Sequence, residues 1–357
     1  MILPVHDFFR DLKVIELASV LAGPSVGQFF AELGASVIKV ENPKTNGDVT
    51  RSWKLPKEDQ SSNQSAYFLS VNWGKEHLFL DLRLEEDYAH VLELIKQADV
   101  VLASYKPGDA RKLKVDYEQL KATNPKLIYA SITGYGKDDP RAGYDAIVQA
   151  ESGFMYMNGQ PGSPPTKMPV ALIDVLTAHQ LKEGILLALL KREQTGNGSL
   201  VEVSLFETGV ASLANQALNW LQAGHIPQQM GSEHPNIAPY GTVFYSKDNK
   251  PLVLAIGTDR QFSGLCDVLG IAEVAQHESF LKNRMRVINR HDLNAKLSHE
   301  ISKWGRKELL LELGKSHIPA GAVNDMQNLF EIPLAKAMIL DDEGVPGLKQ
   351  VAFKVKQ

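Results

Sequence analysis

The chain has one cysteine, Cys266, in 357 residues. An internal disulfide and a cysteine-built metal cluster are therefore excluded. Cys266 sits in a helical apolar pattern with Phe262, Leu265, Val268 and Leu269, which predicts a core thiol. The ten histidines form no H-x-x-x-H or similar pair, so no metal site is expected. Long apolar runs are missing too. The longest, Gly184 to Leu190, is far too short to span a bilayer. Met1 to Leu12 lacks the apolar core of a secretory leader, so a soluble cytoplasmic protein with no membrane partner is expected. A basic excess is absent, since the net charge is -4 and no basic cluster is interleaved with aromatics. That argues against a nucleic-acid partner. The G-x-G-x-x-G fingerprint is also missing, which disfavours an ordinary dinucleotide oxidoreductase. What remains, 44% hydrophobic and 22% charged residues without visible repeats, is ordinary globular composition. The length suits one large domain or two moderate ones.

The organising stretch runs from Met168 to Glu207. Asp174 lies within an apolar run, Val170 to Leu176. Apolar residues then recur with helical period at Leu181, Ile185, Leu186, Leu189 and Leu190. Lys191 and Arg192, followed by Gly196 and Gly198, are helix stop signals. Val201, Val203 and Leu205 alternate as a strand would. A lone carboxylate thus stands where an apolar segment meets a long buried helix. Such a group is costly unless hydrogen-bonded and is often functional. The plainer alternative is a carboxylate serving the dipole of a helix N-terminus.

Before that stretch, strands and helices alternate. Lys13–Ala18 reads as a strand, Val26 to Leu33 as a helix stopped by Gly34, and Ser36–Glu41 as a second strand. Strand, helix and strand in about thirty residues make a βαβ unit and hence a parallel sheet. Asn42 to Ser70 is polar and reads as loop. Further strands are expected at His77–Leu82, Asp99–Leu102 and Leu127–Ile132, with helices at Asp87–Ala98 and around Tyr117 and Leu120. The expectation is a doubly wound, Rossmann-like α/β domain, with ligands beyond the carboxyl ends of its strands. Three loops lie there: Ser19–Gly23, Ser104–Gly108 and Gly134–Tyr144. A helix is expected from Glu207 to Leu221, then an irregular segment, His225–Tyr240, as linker or active-site loop. A hairpin at Thr242–Tyr245 and Leu252–Ile256 and helices at Arg260–Leu269, Asp292–Ile301 and Lys307–Leu313 predict a smaller α+β domain. The last stretch, Gly344 to Lys356, which contains V-A-F-K-V, reads as one more strand.

Several separated pieces form one pattern: V-I-E-L-A-S-V-L-A-G-P, L-G-A-S-V-I-K-V-E, G-D-V-T-R, N-W-G-K with L-D-L, Y-K-P-G, N-P-K-L-I-Y-A-S-I-T-G-Y-G, G-Y-D-A-I-V-Q-A-E-S-G, A-L-I-D and H-P-N-I-A-P-Y-G. In this order, over nearly the whole chain, they resemble the family III CoA-transferases, the group of formyl-CoA transferase and carnitine CoA-transferase. The α-methylacyl-CoA racemases share that fold. The resemblance implies an interlocked homodimer. Its large CoA-binding domain would take residues 1–200 and 330–357, a linker 201–238, and the small domain 239–329. It implies Asp174 as the nucleophile of a CoA-transferase, passing through a mixed anhydride and an aspartyl-CoA thioester. Coenzyme A and acyl-CoA would be substrates, with a small carboxylic acid as partner and no permanently bound cofactor. By the same resemblance Val20, Leu21 and Ala22, with Asn42, would take the adenine side of CoA. Leu80, Ser104, Tyr105, Lys106, Lys112 and Leu113 would follow its pantetheine and phosphates, and Tyr144 would stand near the thioester. Asn42 and Ser104 depart from formyl-CoA transferase, which carries arginine and asparagine there. For Leu21 and Leu80, simple packing is an equal alternative. The Gly-rich loop that covers the aspartate in formyl-CoA transferase has no clear counterpart, and Gly231–Pro235 is the segment available for that space.

Two alternatives stand beside transfer. A racemase needs a base on each face of the α-carbon. The racemases carry a histidine where this chain has Tyr144 and a glutamate where it has Asp259. A phenol with pKa near 10 is a poor base at neutral pH. His179 and His234 are the histidines that could replace the missing one. The other alternative is a non-catalytic CoA-binding protein of the same fold.

Overall fold

The structure is a computed structural model describing residues 8–342 and 344–355. Six strands form one all-parallel sheet: β1 (Lys13–Leu17), β2 (Ser36–Glu41), β3 (Glu76–Phe79), β4 (Val100–Ala103), β5 (Ile128–Thr133) and β6 (Ser199–Ser204). Their order across the sheet is β3-β2-β1-β4-β5-β6. The chain therefore reverses its direction of winding between β1 and β4. Loops that leave those two strands diverge there and open a crevice at their carboxyl ends.

The inner strands are apolar on both faces because both faces are covered. On one side Val14, Val37, Leu102, Ile128 and Ala130 pack with Phe30 of α1 (Ala22–Glu32) and other apolar side chains. On the other, Ile15, Val101 and Tyr129 pack under Val91 and Ile95 of α2 (Glu85–Lys96) and Leu120 of α3 (Tyr117–Thr123). Gly23 lets α1 approach β1, since a Cβ there would lie 2.3 Å from Ala18 Cβ. A short helix α4 (Asp145–Glu151) follows β5. The long helix α5 (Leu172–Thr195) then returns the chain to β6, ending at Gly196 in the left-handed region (φ +71°). Helix α6 (Leu205–Ala211) follows at once.

Helix α5 starts at Leu172, inside the run read as an apolar segment before it, so Asp174 belongs to its first turn. Leu181 and Ile185 are buried, whereas Leu186 and Leu190 are 40% and 60% exposed and point away from this core. The polar stretch Asn42–Ser70 is more ordered than its composition suggests. Arg51 stacks 3.7 Å over Phe68 and grips Glu41 through two N–H···O bonds of 2.6 and 2.8 Å. Burying those groups turns a polar sequence into packed structure around two helical turns, Val49–Ser52 and Ala66–Leu69.

The chain divides into two compact units. The first takes residues 1–154, 167–214 and 337–357; the second takes 155–166 and 215–336. Residues 201–214, expected within a linker, instead hold most of β6 and all of α6 in the first unit. Six β6 residues pair with β5, which ties them to the sheet. The stretch from Gly344 does hold a strand, β11 (Val345–Leu348), which pairs antiparallel with β10 (Ile339–Asp342); V-A-F-K-V itself lies beyond it and is not part of the strand. Beyond β11 the chain lies along α1, where the Gln350 and Val351 N–H groups donate to Glu32 and Phe353 meets Phe29.

In the second unit, β7 (Tyr240–Tyr245), β8 (Pro251–Ala255) and β9 (Ala320–Ala322) form an antiparallel sheet, the first two being the expected hairpin. Its core includes Phe244, Leu252, Phe262, Leu265, Leu293, Leu297 and Leu313. Cys266 is buried among them, and burial pushes its thiol up to about 12. It is the core thiol the pattern predicts. The single helix expected over Glu207–Leu221 is two, broken at Ala214, which takes a positive φ of 49° before the helix Asn215–Ala223.

Candidate active site

The crevice at the β1/β4 switch contains a cleft of about 160 Å³. Its walls are the turn after β1, the loop after β4, the end of β5 and the segment entering α4, and they include Asp174. All three loops that the topology nominated meet here. The turn after β1 is tied to the loop after β4, because Ser19 N–H donates to Ser104 Oγ at 3.1 Å. Leu21 provides no side-chain cap for α1. The N–H groups of Ala22 and Gly23 therefore find no acceptor among the described residues, and both residues line the cleft. Free N–H groups at a helix start attract developing negative charge.

Asp174 occupies the third position of α5, and its placement is arranged from α4. Ala171 supplies no side-chain cap. Instead Asp145 Oδ1 accepts the Ile173 N–H at 2.8 Å, while its other oxygen accepts from Gln149 Nε2 at 2.6 Å. Gln149 Oε1 in turn accepts the Met168 N–H. The D-A-I-V-Q sequence thus positions the start of α5.

Asp174 is only 8% exposed, yet its carboxylate makes no hydrogen bond or ion pair among the described residues. Burial, assisted by the like charge of Asp145, raises its carboxyl from the usual 3.8 to about 7. The N-terminus of a 24-residue helix pulls the other way. Tyr67, whose phenol feels the Asp174 charge, was missed by sequence reasoning. Burial, then the charges of Asp174, Asp145 and Asp48, push its phenol up to about 12, so it keeps its proton at neutral pH. It lay in a stretch read as loop, and no periodic signal marked it. Arg141 was missed as well. It lines the cleft, stacks 3.8 Å over Tyr135 and pairs with Asp139 and Glu151.

Of the residues implied as CoA contacts, Val20, Leu21, Ala22, Ser104, Tyr105, Lys106 and Tyr144 line the Asp174 cleft. Asn42 lines a neighbouring cleft of about 690 Å³ that shares Ser19 and Tyr105 with the first. Leu80, Lys112 and Leu113 line neither. Leu80 and Leu113 pack on the core beneath α2, and the exposed Lys112 pairs with Asp109 at 2.8 Å. Of the possible alternative bases, Tyr144 is 58% exposed on the cleft wall. Asp259, in the second unit, is bound by Arg286 and Lys282, which hold its carboxyl below the usual range. Burial, with neighbouring cations, lowers His179 and His234. No cluster of histidine, cysteine and carboxylate side chains among the described residues could hold a metal ion.

Fold and cleft define a doubly wound α/β protein that presents a buried carboxylate at its ligand crevice. The CoA-transferase family III model matches residues 9–344, and the chain belongs to that family of enzymes. It is 39% identical to the succinate–glutarate CoA-transferase of Agrobacterium fabrum, covering 95% of this chain and 87% of that one. It is 38% identical to the acetyl-CoA:oxalate CoA-transferase of Acetobacter aceti, over 94% and 86% of the two. Among solved structures, a CAIB/BAIF family protein from Brucella suis matches with a TM-score of 0.83 and 43% identity, covering 96% of this chain and 91% of that one. The family takes CoA thioesters as substrates. No described helix is long and apolar enough to cross a membrane.

Attack by Asp174 on a thioester would need the ionised carboxylate, so its raised carboxyl would set a pH dependence. Below about 7 it is increasingly protonated. The expected result is a kcat/KM for acyl-CoA that rises about tenfold per pH unit below that value and levels off above it. A stopped assay over pH 5 to 9 reads this. A profile flat to about pH 5 would show that Asp174 titrates as an ordinary carboxylate.

Proposed function

We propose that the protein transfers CoA between dicarboxylic acids, with Asp174 as the covalent nucleophile. One observation carries the reading: a carboxylate nine-tenths buried, without a hydrogen-bond partner, lies in a cleft whose wall holds the unengaged N–H groups of Ala22 and Gly23. A structural carboxylate would be paired.

Asp174 attacks the thioester carbonyl of the donor; the C–S bond breaks and CoA leaves as thiolate. The mixed anhydride is attacked at the aspartyl carbonyl by that thiolate, which expels the donor acid and leaves an aspartyl-CoA thioester. The acceptor carboxylate attacks this thioester, and the thiolate then attacks the acceptor's own carbonyl. The products are the new acyl-CoA and free Asp174. No electron or net proton is exchanged. A raised pKa makes the ionised carboxylate more basic and so more nucleophilic. The Ala22 and Gly23 N–H groups and the Tyr67 hydroxyl are the donors for the oxyanions. Val20, Leu21, Ala22, Ser104, Tyr105, Lys106 and Tyr144 hold the CoA chain, Asn42 and its neighbouring cleft the nucleotide end, with Leu80, Lys112 and Leu113 in supporting positions.

The substrate class is supported by the relatives, whose names pair succinate or succinyl-CoA with glutarate or mesaconate, and acetyl-CoA with oxalate. Succinate, glutarate, mesaconate and oxalate each carry two carboxyl groups. We also assign the protein an interlocked homodimeric state in the cytoplasm, its large domain formed by both ends of the chain. The exposed Leu186, Leu187 and Leu190 of α5 are an apolar face suited to a second copy.

The test is to incubate the protein with succinyl-, glutaryl-, oxalyl- and acetyl-CoA, trap with hydroxylamine or borohydride, and map the modified peptide by mass spectrometry. Label on Asp174, strongest with dicarboxyl donors, is expected. Absence of label with every donor, despite CoA binding, would reject covalent transfer. Deuterium wash-in at the α-carbon from heavy water would then favour the racemase.

A further inference from the structure

The turn after β1 contains an unusual backbone. Val20 has φ of +73°, in the left-handed region that a β-branched residue rarely enters. Such a residue is strained and persists only where its surroundings enforce it. Here the enforcement comes from a buried charge network. Val20 N–H donates to Asp48, at 3.1 Å to Oδ2 and 3.4 Å to Oδ1. Asp48 is itself fixed, accepting the Thr50 N–H and hydroxyl at 3.0 and 2.8 Å and pairing with Lys39 at 3.1 Å. Lys39 Nζ also donates to the Ala18 carbonyl at 2.7 Å and pairs with Glu16 at 2.8 Å. Glu16 pairs with Lys75 at 2.8 Å, and Lys75 donates to the Pro24 carbonyl, also at 2.8 Å.

Two lysines and two carboxylates, all buried, therefore hold the turn at three points: Ala18 at its entry, Val20 at its middle and Pro24 at its exit. Gly27 leaves room for the network, since a Cβ there would lie 1.9 Å from Glu16 Oε2. Its charges balance, which lowers the cost of burying them. None of the four lines the Asp174 cleft, although Lys39 and Asp48 line the neighbouring one, whereas Val20 to Gly23 line the Asp174 cleft.

We propose that Asp48 is a positioning residue for CoA transfer: it locks the strained Val20 peptide so that the adjoining Leu21–Gly23 segment is held against the acyl-CoA beside Asp174. This rests on the transferase reading above. A misplacement of about 1 Å in such a segment costs on the order of a hundredfold in rate.

The test is a four-way comparison of kcat/KM and of CoA binding by calorimetry: parent, Asp48→Ala, Val20→Gly, and both together. Glycine takes a positive φ without strain, so the locking carboxylate becomes dispensable in its presence. Asp48→Ala is expected to lower kcat/KM by about 10- to 100-fold with Val20 present, but by less than about threefold in the Val20→Gly background. Asp48→Asn, whose amide oxygen still accepts the Val20 N–H, is expected to restore most activity. Should Asp48→Ala not fold, Asp48→Ser replaces it, since a hydroxyl can still accept the Thr50 N–H. Equal losses in both backgrounds, or no loss in either, overturn the inference. An inactive parent overturns the transferase reading and the inference with it.

Discussion

Replacing Asp174 with alanine is expected to reduce CoA transfer by at least about 10⁴-fold, because the proposed covalent intermediates would then have no nucleophile. The same substitution is expected to make the protein more stable at high pH. Folding raises the carboxyl from 3.8 to about 7, so the native state holds the proton more tightly than the unfolded chain. Well below the unfolded value of 3.8 both states are protonated and the carboxyl costs nothing through ionisation. As pH rises from about 4 to 7 the unfolded state gains by ionising first. Above 7 the full penalty applies, roughly 4 kcal/mol. Urea denaturation of Asp174→Ala should therefore show a higher midpoint than the parent at pH 8, and a gap that closes towards pH 4. Loss of activity with loss of stability at pH 8 would mean that the carboxylate makes favourable native contacts, against the geometry of the site.

The second large effect is expected from Gly143→Ala. β5 leads into Gly134, and Gly143 sits two residues before α4; the two backbones touch where the intervening loop closes. A Cβ on Gly143 would lie 2.3 Å from Gly134 Cα and 3.1 Å from its carbonyl carbon. Both neighbours are main chain, so the clash cannot be relieved by rotating a side chain. The loop must open, and Tyr144 and Asp145 must move with it. Since Asp145 caps α5 through the Ile173 N–H, the displacement reaches Asp174. A loss of about a hundredfold or more in kcat, with a destabilisation of about 1–3 kcal/mol, is expected. Steady-state kinetics and denaturation read both. Gly136→Ala is the control, because a Cβ there meets nothing within 4 Å. It sits at φ +97°, so it adds backbone strain without that contact. Similar kcat losses in the two variants would show that the Gly134–Gly143 contact does not hold the site.

Much of the framework could be read directly from residue order. Alternating apolar strands and periodic helices in V-I-E-L-A, S-V-I-K-V-E and L-I-Y-A-S-I led to the parallel sheet, because burial on both faces demands runs that few other structures tolerate. Asp174 stood out for a related reason: a carboxylate is conspicuous in an apolar run. The motifs around it were specific enough in combination to point to the family. Tyr67, Arg141 and the network under Val20 were not legible. Tyr67, Arg141 and Asp48 occur in polar stretches with no period, Glu16 and Lys39 interrupt apolar strands, and the roles of all five arise from neighbours far away in the chain. Asp48 meets Val20 across 28 residues, and Lys75 meets Pro24 across 51.

By itself, then, the sequence determined the strand and helix alternation, the core thiol and the carboxylate at the head of α5. These depend on local period and on the cost of burying a charge. The tertiary structure decided which loops form the cleft, and that α5 begins before Asp174 rather than after it. It also decided that Asp145 caps α5 while raising the Asp174 carboxyl. Those outcomes depend on distances between segments remote in sequence, which strand order and close packing set and no local pattern encodes.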